Sequence, residues 1–134
     1  MQFLQPEGWA KPRGYANGVA ASGRLVFIAG QVGWTPEGKW LARDFPGQFR
    51  QALANILAVL KEAGGRPEHI VRLTWYVVDK AEYLSALHAV GRAYRDLMGT
   101  HYPAMAVVQV TGLVEDAARL EIEATAVIPE EAKP

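Results

Sequence analysis

Residues 45–78 read FPGQFRQALANILAVLKEAGGRPEHIVRLTWYVV, and within this stretch the spacing of apolar side chains changes from three-and-four to two. Phe49, Ala52, Leu53, Ile56, Leu57 and Leu60 fall on one face of a helix expected over 45–63, with Arg50, Asn55, Lys61 and Glu62 largely off that face. Gly64-Gly65 stops it, because glycine readily takes the left-handed conformation that ends many helices. From Ile70 to Val78 the side chains of Leu73, Trp75 and Val77 alternate with those of Arg72, Thr74 and Tyr76, which is the period of a strand.

Upstream, residues 18–21 and 24–29 read as two short strands joined by the Ser22-Gly23 turn, with Gly30 ending the second. Thr35 to Lys39, TPEGK, is a turn between Trp34 and Trp40. Downstream, a helix runs from about Lys80 to Met98, with Leu84, Leu87, Gly91, Tyr94 and Met98 near one face, and strands follow over 104–110 and 119–128. The order ββ-α-β-α-ββ gives an α+β domain in which two helices cover one face of one sheet. The other face then needs a partner, and self-association is expected. With no repeat or linker, residues 1–134 form one domain, and that length is enough to bury a core.

Composition narrows the functions. Lys and Arg total 14 and Asp and Glu total 14, with the basic residues scattered, so no stripe for nucleic acid is expected. There are no cysteines, which excludes disulfides, thiolate zinc sites and cysteine nucleophiles. His69, His88 and His101 lack metal-ligand spacing, and neither a metal nor a cofactor is expected. Ser22 and Ser85 sit in no nucleophile elbow. No apolar run approaches the ~20 residues of a membrane span. The first residues, interrupted by Glu7 and Lys11, do not read as a secretory signal, so the expected address is cytoplasmic. Trp9, Trp34, Trp40 and Trp75 read as core or interface residues.

Glu121 and Glu123 lie two apart on an expected strand and share a face opposite Ile122, Ala124 and Ala126. A carboxylate placed this way can accept a proton from an attacking water. The alternative is an edge-strand acid paired with Arg119, or a solvated one. Gly30 lets the main chain approach a small molecule, or simply ends a strand. His88 offers an imidazole for hydrogen bonding or proton transfer, or is a polar residue on a helix face.

Four segments carry a resemblance: Arg13-Gly14-Tyr15, Phe27-Ile28-Ala29-Gly30-Gln31, Tyr102-Pro103-Ala104-Met105 and Leu120-Glu121-Ile122-Glu123-Ala124. Together they resemble the Rid family, also called YjgF, over nearly the whole chain. The resemblance implies a chorismate-mutase-like fold, a mixed sheet covered on one face by two helices. It also implies a homotrimer around a central barrel, with small-molecule clefts between neighbouring subunits. Its deaminating members hydrolyse imines and enamines. On that resemblance Glu121 positions the hydrolytic water, Ala29, Gly30 and Gln31 hold the ligand, and Tyr15 closes the cleft. His88 stands where catalytic members often carry asparagine, Val107 where they commonly carry cysteine, and Met105 where they carry an arginine that grips the substrate carboxylate. Arg13, two residues before Tyr15, is a candidate replacement for that charge. The implied function is an imine or enamine deaminase-like hydrolase with an atypical cleft, and the alternative is a non-catalytic metabolite-binding or regulatory trimer.

Overall fold

The computed structural model describes residues 1–130. Helix α1 (Phe45–Glu62) buries Phe49, Ala52, Leu53, Ile56 and Leu60. It ends as the double glycine demands: Gly64 takes φ +79°, and the amides of Gly64 and Gly65 bond back to the carbonyls of Lys61 and Leu60 at 2.9 and 3.1 Å. A single 3-10 turn (Pro67–His69) then leads into β4 (Ile70–Val77). In β4, Leu73, Trp75 and Val77 are buried while Arg72, Thr74 and Tyr76 face the other way.

The main sheet has the order β3-β6-β4-β5, from β3 (Arg24–Val32), β6 (Leu120–Ile128), β4 and β5 (Ala104–Gln109). It is mixed: β6 runs antiparallel to both β3 and β4, and β5 runs parallel to β4. Helix α1 packs over β3 and β6, and α3 (Leu87–Met98) packs beside α1. The core lies between these helices and Ile28, Leu73, Trp75, Leu120, Ile122 and Ala124 of the sheet. Among the described residues, no helix is packed on the opposite face.

Four expectations are corrected. Residues 18–21 and 24–29 do not form a hairpin: β2 (Gly18–Ala20) pairs with β1 (Gln2–Leu4) in a separate two-stranded sheet. Gly23, at φ +148°, carries the chain across to β3, where a Cβ would stand 2.8 Å from the carbonyl carbon of Ile128. Gly30 does not end β3, which continues to Val32 through a bulge. The second helix is divided: α2 (Lys80–Ser85) ends and α3 begins at Ala86, whose ψ of 11° breaks the helical run without a proline or glycine. Of the residues expected near one face, Leu84 and Leu87 are exposed, while Tyr94 and Met98 are buried as expected, joined in the core by Val90 and Ala93.

One buried polar side chain holds the sheet to α1. Gln48 is fully enclosed, donates to the carbonyls of Ala42 (3.3 Å) and Ala117 (3.0 Å), and accepts from the amide of Arg119 at 2.7 Å. It thereby fixes the entry into β6 two residues before Glu121. Gln48→Leu orphans these groups and is expected to cost about 3 kcal/mol, at ~1–3 kcal/mol per unsatisfied buried group. The check is a lower urea midpoint with an unchanged slope.

Candidate functional site

The sequence-derived site residues fall into two groups on opposite faces of the sheet. Glu121 pairs in register with Tyr76, while Met105 pairs with Leu73, and along β4 those two point to opposite sides. Glu121 therefore stands on the face without helices, and Met105 on the helix side.

On the uncovered face the bulge does the placing. Ile28 pairs with Ala124 and Gln31 with Ile122, so β3 spends one more residue than β6 between the two pairs. Such bulges re-aim side chains. Here the bulge turns the α-hydrogen side of Gly30 against Glu121: a Cβ at residue 30 would lie 2.8 Å from Cδ and 3.0 Å from Cγ of that glutamate. Glycine at position 30 thus lets the Glu121 carboxylate rest against the main chain. The Gln31 side-chain amide donates to the Ala29 carbonyl at 3.2 Å and braces the bulge.

Glu121 is half-buried and has no hydrogen-bond or ion-pair partner among the described residues. The alternative pairing with Arg119 is not made. Arg119 instead forks onto Glu82 of α2, at 2.9 and 2.5 Å, and that bond holds its guanidinium pKa above the ordinary value. Strand β6 is also interior to the sheet, not an edge. Glu123 accepts a 2.6 Å hydrogen bond from the Tyr76 hydroxyl, and this bond is the first cause raising the Tyr76 pKa. Of the two glutamates, Glu121 is the one with its oxygens uncommitted.

On the helix side, Met105 borders a cavity of about 370 Å³ between α3 and the β4–β5 edge. Arg13 lines the same cavity, so the structure brings the missing-arginine position and its candidate replacement together. Tyr15 does not enter it. Residues 15–17 run beside β5, with the Ala16 amide bonded to the Pro103 carbonyl at 2.9 Å, and Tyr15 shares a second concavity with Arg72, Thr74, Ala104 and Met105. Met105 borders both concavities. Val107 packs on the core on the same side as Met105 and does not line the cavity. His88 is exposed on α3, three residues before the cavity-lining Gly91.

Sequence reasoning did not single out the aromatic walls of this cavity. Trp75, Tyr83, Tyr94 and Tyr102 line it. Tyr94 and Tyr102 stack with centroids 5.0 Å apart and planes inclined by 8°, and the Tyr94 hydroxyl donates to the His101 carbonyl at 2.7 Å. Burial raises the pKa of both Tyr83 and Tyr94, which keeps the phenols neutral. Trp75 stands edge-on to Tyr83 at 6.1 Å, and its indole N–H is buried without a hydrogen-bond partner. A clue was present in the spacing of Tyr83, Gly91 and Tyr94, but helical periodicity alone does not separate a cavity wall from a core stripe.

Known proteins share this fold. The sequence model of the family described as Endoribonuclease L-PSP matches residues 10–128. A RutC family protein of Pyrococcus horikoshii is 32% identical, over 93% of this chain and 96% of that protein. The 2-iminobutanoate/2-iminopropanoate deaminase of Salmonella typhimurium is 33% identical, over 84% of this chain and 86% of that one. Among solved structures, the Rid family protein YyfB of Yersinia pestis superposes with a TM-score of 0.84 at 33% identity, covering 95% of this chain and 98% of that one.

Proposed function

The chain belongs to the Rid (YjgF) family, and from that premise we propose that it is an imine or enamine deaminase-like hydrolase with an atypical cleft. The observation that carries the reading is the uncommitted carboxylate of Glu121, seated against Gly30 at the bulge. In the proposed reaction Glu121 accepts a proton from water as the oxygen attacks the imine carbon. The proton passes to the nitrogen, the carbon–nitrogen bond breaks, and the products are a carbonyl compound and ammonia. The test is ammonia release from freshly generated 2-imino acids. Acceleration over the spontaneous rate supports the reading, and no acceleration across short, branched and aromatic members overturns it.

Glu121 and Met105 lie on opposite faces of one chain, so a cleft containing both needs a second copy. The uncovered face supports such an assembly: Phe27 is 74% and Leu25 60% exposed on it, beside a concavity bounded by Arg72, Thr74, Glu123 and Thr125. Large apolar side chains this exposed on one sheet face suit an interface. The expected assembly is the homotrimer that the family resemblance implies. Phe27→Asp is expected to convert it to monomer in sedimentation at micromolar concentration without unfolding the chain, because Phe27 makes little contact within its own subunit. A wild-type monomer would contradict the proposal.

Met105 favours a second reading, in which the same assembly binds a metabolite without turning it over. Methionine offers a soft apolar contact where an arginine offers a charged fork. Binding without turnover is its signature. RNA is not favoured as a ligand, because equal numbers of acidic and basic residues give little of the electrostatic term on which such binding rests.

A further inference from the structure

The cavity between α3 and β5 has three properties that loose packing does not explain. The first is Gly91. Glycine disfavours a helix interior, and packing does not require one here: a Cβ would meet only Nη1 of Arg95, at an ordinary 3.5 Å. What the missing side chain preserves is open space beneath the Arg95 guanidinium.

The second is the wall. Tyr94 and Tyr102 form one flat surface, Trp75 and Tyr83 stand at the other sides, and Met105 adds a polarizable edge. The third is charge. Arg13 and Arg95 both line the cavity, no acidic residue does, and neither arginine has an acidic partner among the described residues. The volume of about 370 Å³ lies in the lower part of the ~300–1,000 Å³ range of small-molecule sites.

We propose that this cavity binds a small aromatic carboxylate, its ring against the Tyr94–Tyr102 wall and its carboxylate between Arg13 and Arg95. The proposal rests on the hydrolase reading above for its chemistry, with Glu121 supplied by a second copy because the chain's own Glu121 lies on the opposite face from this cavity. It gives that reading a substrate class: the imine of an aromatic 2-oxo acid, in place of a short aliphatic one. Flat rings suit flat walls, and paired guanidiniums suit a carboxylate.

The test is calorimetric binding of 3-phenylpropionate to the intact protein, beside butanoate and 3-phenylpropanol. The expected result is that 3-phenylpropionate binds at least tenfold more tightly than either, since each comparison compound lacks one of the two anchors. Gly91→Leu is expected to abolish that binding, and Arg95→Gln to weaken it at least fivefold. Gly91→Ala, which adds only a methyl group at a position with space for it, serves as the control for folding and is expected to raise Tm. Equal binding of butanoate removes the ring pocket, and equal binding of 3-phenylpropanol removes the carboxylate anchor. Unchanged binding by a folded Gly91→Leu protein removes the site. Binding is read without turnover, so a protein that binds 3-phenylpropionate as expected but releases no ammonia retains this proposal and loses the hydrolase. Turnover without preference for aromatic imines does the reverse.

Discussion

Glu121→Gln is expected to lower ammonia release by about 10²–10⁴-fold, the usual contribution of a positioned general base. The amide occupies nearly the same volume as the carboxylate but does not take a proton from water. The loss should fall on kcat with KM nearly constant, because the interaction removed is one realised in the transition state. Stability should hardly change, since Glu121 has no hydrogen-bond or ion-pair partner among the described residues to leave unsatisfied. Gly30→Ala reaches the same end by another route. Its methyl would stand 2.8 Å from Cδ of Glu121, so the carboxylate must swing aside. That side chain is flexible, so the displacement costs activity far more than folding. Turnover within tenfold of wild type in both variants would remove Glu121 from the mechanism.

The parts legible in the sequence are those fixed by period and by local stops. Helix α1 follows from the three-and-four spacing and the double glycine, and β4 from strict alternation between Leu73 and Val77. The covered face of β6 was equally plain, with Ile122, Ala124 and Ala126 buried opposite Glu121 and Glu123. What was hidden depends on contacts distant in sequence. The bulge at Gly30 is set by its neighbour β6, ninety residues on, and nothing local separates a bulge glycine from one that ends a strand. Gln48 reads as a polar residue of an amphipathic helix until the loop before β6 closes over it. The same holds for the site. Glu121 and Met105 were legible as chemistry, but their placement on opposite faces follows from register across three strands. The cavity walls come from β4, α2, α3 and β5 together, and no single stretch announces them.

Met105→Arg is expected to tighten binding of 2-oxobutanoate, the carbonyl product of the short aliphatic imine, by about a hundredfold. Each charge-assisted bond of a bidentate guanidinium contributes roughly 1.5–3 kcal/mol, and 1.4 kcal/mol is a factor of ten. Two such bonds would give more, but Arg13 and Arg95 line the same cavity, and a third guanidinium raises the local repulsion that must be met before the anion arrives. The substitution is sterically mild. Met105 is half-buried at the rim between two concavities, and an arginine stem can follow the methionine path while its head remains in water. The measurement is calorimetric affinity together with KM for 2-iminobutanoate, and the gain should appear in both. A gain in affinity accompanied by new turnover shows that Glu121 and the bulge are competent and that position 105 alone selects against short imino acids. A gain in affinity without turnover assigns the native assembly to binding. No gain in either places the ligand carboxylate away from residue 105, and Arg13 with Arg95 then becomes the anchor to remove next.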